Sequence, residues 1–137
     1  MSTFTITDAE RVLGELLPPW VRELDIRFDS ITRGEAVLRI PPSSRLNREG
    51  GTLSGQAIMA LADTAMIFAV ASSAGAFVPM TTVNQTASFL RPAADADVRA
   101  VARIIKPGKT IMYGEVNLHA GDPDKPIAHV TSTYMLL

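Results

Sequence analysis

Gly55-Gln-Ala-Ile-Met-Ala-Leu-Ala-Asp-Thr-Ala-Met-Ile-Phe-Ala-Val-Ala-Ser-Ser-Ala74 is an apolar run in which Asp63 is the single formal charge, and its reading decides the fold. Taking a carboxylate out of water is costly unless a partner answers it. At helical spacing the neighbours of Asp63 are Met59, Ala60, Met66 and Ile67, so no basic side chain on its own helix compensates it. An acid so placed reads as one that is used. The run is about as long as a membrane span, but it is Ala-rich, carries Gln56 and Asp63, and has no Lys or Arg immediately at either end. An Asp at the centre of a spanning helix costs about 2.5 to 3.5 kcal/mol, which small residues do little to offset. The pattern is that of a soluble core helix, buried on nearly all sides.

The segments on either side must do the burying. Upstream, Leu24 to Phe28 and, after an Arg33-Gly34 turn, Glu35 to Ile40 alternate as two strands, the second ended by Pro41-Pro42. Ahead of them, Thr7 or Asp8 is placed to cap a short amphipathic helix with Val12, Leu13, Leu16 and Leu17 on one face. It stops at Pro18-Pro19 and reads as a lid or an edge cover. The polar segment Ser43 to Gly51 is the one long loop before the core helix, a position that makes it a candidate for function. Downstream, Met80 to Arg91, Asp97 to Lys106, Thr110 to His119 and Pro126 to Leu137 are strand-like, with short turn-rich connections that suggest an antiparallel meander. Met112, Gly114, Val116 and Leu118 alternate there with Ile111, Tyr113, Glu115 and Asn117. Two strands, one long helix and four strands are packed most economically by a curved antiparallel sheet wrapped around the helix. That is the hotdog arrangement, an α+β fold, expected here as a single domain over residues 1–137 with an N-terminal helical segment at 1–19.

Composition narrows the function. Thirteen basic and fourteen acidic side chains give a net charge of -1, which provides no electrostatic footprint for nucleic acid and no polybasic membrane patch. The expected partners are a small molecule and other copies of the chain. Cysteine is absent, which removes disulfides, zinc thiolate sites and a cysteine nucleophile. Asp8, Glu10, Arg11 and Glu15 interrupt the first twenty residues, which do not read as a secretory signal, so a cytoplasmic location is expected. The two histidines, His119 and His129, are isolated in sequence, so no metal site is expected.

The stretch from Asn47 through Ser54-Gly55-Gln56 to Leu61-Ala62-Asp63 resembles the signature of the phenylacetic-acid-degradation (PaaI-like) type of hotdog acyl-CoA thioesterase, an Asn, a Gly, a His-Gly-Gly and then Leu-Ala-Asp. Thr82-Val83 and Phe89-Leu-Arg-Pro-Ala93 resemble the following strand of that family, and Val101 to Lys109 its next hairpin; the similarity spans roughly residues 20–137. Two departures stand out. Ser54-Gly55-Gln56 replaces His-Gly-Gly, and the loop from Asn47 to Ser54 is one residue longer. The resemblance implies hydrolysis of an aryl- or medium-chain acyl-CoA without cofactor, CoA being part of the substrate. It further implies that Thr82 sits near Asp63 and orients water, and that Asn47 contacts the thioester or shapes the pocket.

Elementary chemistry agrees. Thioester hydrolysis develops negative charge on the carbonyl oxygen, which the free N–H groups of a helix start at Gly55 and Gln56 are suited to receive. Asp63 can act as general base for water or attack directly as a carboxylate. A rise of about 1.5 Å per residue sets Asp63 roughly 12 Å along the axis from Gly55, too far for both to reach one carbonyl from one helix. Two helices antiparallel about a twofold axis solve this, so a homodimer is the minimal unit, with a homotetramer as the expected assembly. Ser54 reads as an N-cap rather than a nucleophile, since both histidines lie far downstream. Gln56 adds an amide at the mouth of the site. Arg91, Arg103, Lys106 and Lys109 are the candidates for the phosphates of CoA. Two other functions compete: an acyl-CoA binding module without turnover, and a hotdog enoyl-thioester hydratase or dehydratase, which the lack of any His before position 119 disfavours.

Overall fold

The computed structural model describes residues 3–137; Met1 and Ser2, part of the expected N-terminal segment, lie outside the described residues. Helix α1 (Ile6–Glu15) is followed by a 3₁₀ helix (Pro19–Leu24), strands β1 (Arg27–Thr32) and β2 (Glu35–Ile40), and a short 3₁₀ turn (Ser44–Leu46). Helix α2 (Gly55–Ala74) comes next, then β3 (Met80–Phe89), β4 (Val98–Pro107), β5 (Ile111–His119) and β6 (Ala128–Leu136). One antiparallel sheet results, in the order β1-β2-β4-β5-β6-β3.

The sheet curls around α2. Leu38, Ala100, Val116 and Val130 point inward from four neighbouring strands and are fully buried, as are Leu61, Ala65, Met66 and Phe68 on the helix. The Ala-rich helix lets the sheet approach closely: a Cβ on Gly114 would sit 2.7 Å from the Arg103 carbonyl oxygen and 3.0 Å from the Met66 sulfur. Only glycine fits there. Gly75, in the left-handed conformation at φ 87°, ends the helix. At its far end Phe28 meets the Phe68 ring edge-on at 4.8 Å, and Phe4 stacks on Phe68 at 6.4 Å, which ties the N-terminal segment to the core.

Four expectations change. The cap of α1 is Thr5, not Thr7 or Asp8, because Asp8 occupies the third helical position and its carboxylate accepts from the Thr5 N–H while Thr5 Oγ1 accepts from the Asp8 N–H. Leu16 faces solvent, and the buried face of α1 is Ala9 and Val12. Leu24 ends a 3₁₀ helix, which Pro19 opens and Asp25 closes in the left-handed conformation, so β1 begins only at Arg27. Finally, β3 is no member of a meander: it leaves its chain neighbour β4 and pairs with β6 at the edge of the sheet.

That edge position governs the site. Helix α2 is not buried all round; Gln56, Met59, Ala60, Asp63 and Ile67 form a stripe that the sheet leaves at least partly open. Among the described residues the neighbouring strand β3 has no partner on its outer side, and Val83 and Phe89 on it are 56% and 52% exposed. Asp63 is therefore half-buried on an open face, where its charge costs less than in the interior.

Candidate active site

Asp63 is held from two strands. Thr82 Oγ1 donates to Asp63 Oδ1 at 3.0 Å, and the Tyr134 hydroxyl, 2% exposed as a residue, lies 2.5 Å from the same oxygen and 3.0 Å from the Asp63 carbonyl oxygen. Thr82 and Tyr134 face each other across β3 and β6. Immediately after Thr82 the register slips by one residue at Val83. The bulge matters because strand side chains alternate: with one extra residue, Thr82 and Gln85, three apart, both turn toward the helix. Gln85 Nε2 then donates to the Met59 carbonyl at 3.1 Å, one helical turn before Asp63. Burial, then the Asp63 charge and its hydrogen bond, push the Tyr134 phenol well above its ordinary value, so it stays a neutral donor. Among the described residues no hydrogen bond reaches Asp63 Oδ2. The carboxylate is oriented through one oxygen and free at the other.

The second part is the start of α2. Ser54 Oγ accepts from the Ala57 N–H at 3.2 Å, the N-cap expected from sequence. Among the described residues the Gly55 and Gln56 N–H groups carry no hydrogen bond, and Gln56 is exposed. Asn47 lies beside this end, bridged to Leu53. The loop between them closes through an Arg48 N–H to Thr52 carbonyl bond of 2.8 Å, with Gly50 and Gly51 at positive φ. Thus the structure unites Thr82 with Asp63, whereas Asn47 meets Leu53 and lines a separate small space with Pro41, Pro42 and Ala93; the acid and the helix start stay at separate places on one chain.

Two cavities flank the first turn of α2. One, of about 480 Å³, opens over Gly55 between the Phe89 ring and the cations Arg48 and Arg91. Arg91 is fixed by its bond to the Pro126 carbonyl at 2.8 Å. The other, of about 290 Å³, lies on the opposite side, between Ser54, Ala57 and Ala60 on the helix and Trp20 and Leu24 on the 3₁₀ helix.

The four cations expected to gather for CoA do not gather on one chain. Antiparallel pairing places Phe89 beside Ala128, and hence Arg91 near Gly55, whereas Lys106 and Lys109 follow the β4–β5 hairpin to the Leu136 end of the sheet. Arg103 pairs with Glu115 at 2.5 Å on the outer face, where His129 Nε2 also meets Glu115 at 2.9 Å. Among the described residues no three His, Asp or Glu side chains converge on a point where a metal could bind.

Sequence reasoning missed Tyr134, Arg48 and Trp20. Tyr134 was within reach: it shares the parity of Ala128 and Val130 on β6, and a tyrosine on a buried face needs a partner for its hydroxyl. Arg48 and Trp20 gave no such signal, since only the folded loops bring them to the helix start.

Comparison with known proteins identifies the family and the fold. The family model of the thioesterase superfamily matches residues 50–127, from just before α2 to just before β6. The chain belongs to the thioesterase superfamily, and it is a thioester hydrolase with the hotdog fold. TV1331 of Thermoplasma volcanium, provisionally named an esterase, is 29% identical over 106 residues, which cover 77% of this chain and 79% of that one. The PaaI protein from the phenylacetic acid degradation operon of Escherichia coli superposes with a TM-score of 0.84 at 20% identity, covering 96% of this chain and 92% of that one. The thioesterase HI1161 of Haemophilus influenzae superposes with a TM-score of 0.87 at 20% identity, covering 99% and 92%. These two structures share the fold.

Proposed function

We propose that the chain hydrolyses the thioester of acyl-CoA to free acid and CoA, in sites built from two subunits. The observation that carries this reading is the posture of Asp63, tethered through Oδ1 by Thr82 and Tyr134 and open at Oδ2. In this mechanism Oδ2 either takes a proton from the water that attacks the carbonyl carbon, or attacks that carbon itself to form an acyl-enzyme that water then cleaves. The carbonyl oxygen becomes an oxyanion, received by the free N–H at Gly55 of the partner subunit. Collapse expels the CoA sulfur, which leaves as the thiol after taking up a proton. Thr82 and Tyr134 hold the carboxylate, and Asn47 acts through the loop that it bridges to Leu53, two residues before Gly55. Arg91 is the cation best placed for a CoA phosphate; Lys106 and Lys109 reach the same substrate only if the partner's hairpin brings them.

The open edge of β3 and the half-open stripe of α2 support the dimer. An edge strand open on its outer side, with Val83 and Phe89 exposed, is a template for a second copy, and antiparallel pairing there would bring each Gly55 toward the other Asp63. The reading calls for no metal or redox cofactor and for a cytoplasmic homodimer, paired further into a tetramer. Free-thiol release from a panel of aryl-, short- and long-chain acyl-CoA substrates tests it, with Asp63→Asn beside wild type. Turnover that collapses in the variant while the oligomer persists is expected. A folded wild type that binds CoA and releases no thiol from any substrate would refute hydrolysis of acyl-CoA and favour the binding module.

A further inference from the structure

We infer that the acyl group of the substrate occupies the cavity between Trp20 and the first two turns of α2, and that Trp20, Ala57 and Ala60 set its size. This rests on the thioesterase reading above. If the thioester carbonyl sits at the Gly55 N–H, its two substituents must leave on opposite sides of the helix start, and the chain offers two unlike spaces there. The cleft over Gly55 is the wider, about 480 Å³, with Arg48 and Arg91 on its rim. It suits the polar, phosphorylated arm. The space on the other side is about 290 Å³ and presents Trp20, Leu24, Leu46, Ala57 and Ala60. It suits an apolar group.

The dimensions select a compact acyl group. A cavity of this size stands at the lower edge of the ~300–1,000 Å³ range of small-molecule pockets. Ala57 and Ala60 are one helical turn apart, and the space exists because both side chains are single methyl groups. Trp20 forms the opposite wall and is still 57% exposed, which leaves indole surface for an acyl group to cover. The cavity is bounded by an Arg45–Glu23 ion pair that joins the two 3₁₀ segments. Both partners are exposed, so this closure is weak and opens readily. The part of the space that one chain provides matches a short to medium or single-ring acyl thioester, and Ala60, on the α2 stripe that faces the partner, stands at its border. Each site then takes its acyl cavity and its oxyanion N–H from one subunit and its acid from the other.

Trp20 is the only tryptophan of the chain and reports directly on occupancy. Wild-type protein is titrated with S-hexyl-CoA, a thioether that cannot be hydrolysed, and with CoA alone. The expected result is a blue shift and intensity change of the emission with S-hexyl-CoA and none with CoA. In parallel, Ala60→Leu is expected to lower the hexanoyl-CoA to acetyl-CoA ratio of kcat/KM at least tenfold, and Trp20→Ala to raise the decanoyl-CoA to hexanoyl-CoA ratio. Wild-type turnover with identical Trp20 responses to S-hexyl-CoA and CoA, or with an unchanged chain-length profile in both variants, would overturn the inference while leaving the hydrolase reading intact. Absence of turnover on every thioester would instead remove the reading on which it rests.

Discussion

The two halves of the site are built in opposite ways. Asp63 sits mid-helix and is tied by side chains from β3 and β6, 19 and 71 residues away in sequence. Gly55 is held mainly by its own neighbourhood: Ser54 caps the helix and a loop with two glycines at positive φ leads into it, with the Leu53 N–H to Ala93 carbonyl bond of 2.9 Å as a longer-range tie. The acid is fixed by the whole fold, whereas the oxyanion end and both cavities depend on loops. Such a division lets acyl preference change without disturbing the acid. It also explains why the departure from the family pattern, Ser54-Gly55-Gln56, falls at the loop end.

Mutations can break or sharpen this contrast. The largest effect is expected from Asp63→Asn, which removes the base or nucleophile and should lower kcat about 10²- to 10⁴-fold in a thiol-release assay. Gly55→Pro comes next. Proline is accepted at the first helical position, so the substitution deletes one N–H without breaking α2, and kcat should fall about 10²- to 10³-fold with little change in Tm. Tyr134→Phe should touch both activity and stability, because a hydrogen bond to a charged group is worth about 1.5 to 3 kcal/mol. Equal losses of stability in Gly55→Pro and Tyr134→Phe would erase the contrast. Ser54→Ala removes only the cap and should cost about 1 kcal/mol, or about 4 °C in Tm.

Tyr134 adds a pH dependence whose sign follows from its environment. In the unfolded chain the phenol ionises near its ordinary value of 10.0, while burial and the Asp63 carboxylate keep it protonated in the fold at higher pH. Above pH 10 the unfolded state therefore binds fewer protons, and stability falls by up to about 1.4 kcal/mol per pH unit from this one group. Urea midpoints of wild type and Tyr134→Phe between pH 9 and 11 should converge as pH rises. Parallel curves would show that the phenol is not shifted.

Much of the fold was legible because it rests on local patterns. The limits of α2 and β2 follow from the apolar run that ends at Ala74, the Ser54 cap and Pro41-Pro42. The position of β3 was not legible: alternation states which face a residue takes, and it says nothing about which strand lies alongside. The same limit hid the Tyr134 contact, which needs β6 and β3 to be neighbours. Resemblance supplied the pairing of Thr82 with Asp63, where spacing alone was silent. Arg91 was separated from Lys106 and Lys109 for an equally physical reason, since antiparallel pairing sends the ends of β3 and of the β4–β5 hairpin to opposite ends of the sheet.

The central claim is that the acid and the oxyanion N–H of one site come from different subunits, and complementation tests it most directly. Chains carrying Asp63→Asn and chains carrying Gly55→Pro, with different affinity tags, are produced together and the doubly tagged dimer is isolated. Each parent homodimer should be nearly inactive. In the mixed dimer one of the two sites unites an intact Asp63 with an intact Gly55, so thiol release should recover to about half the wild-type rate per dimer. A mixed dimer as inactive as its parents would contradict the claim and place both groups of a site on one chain.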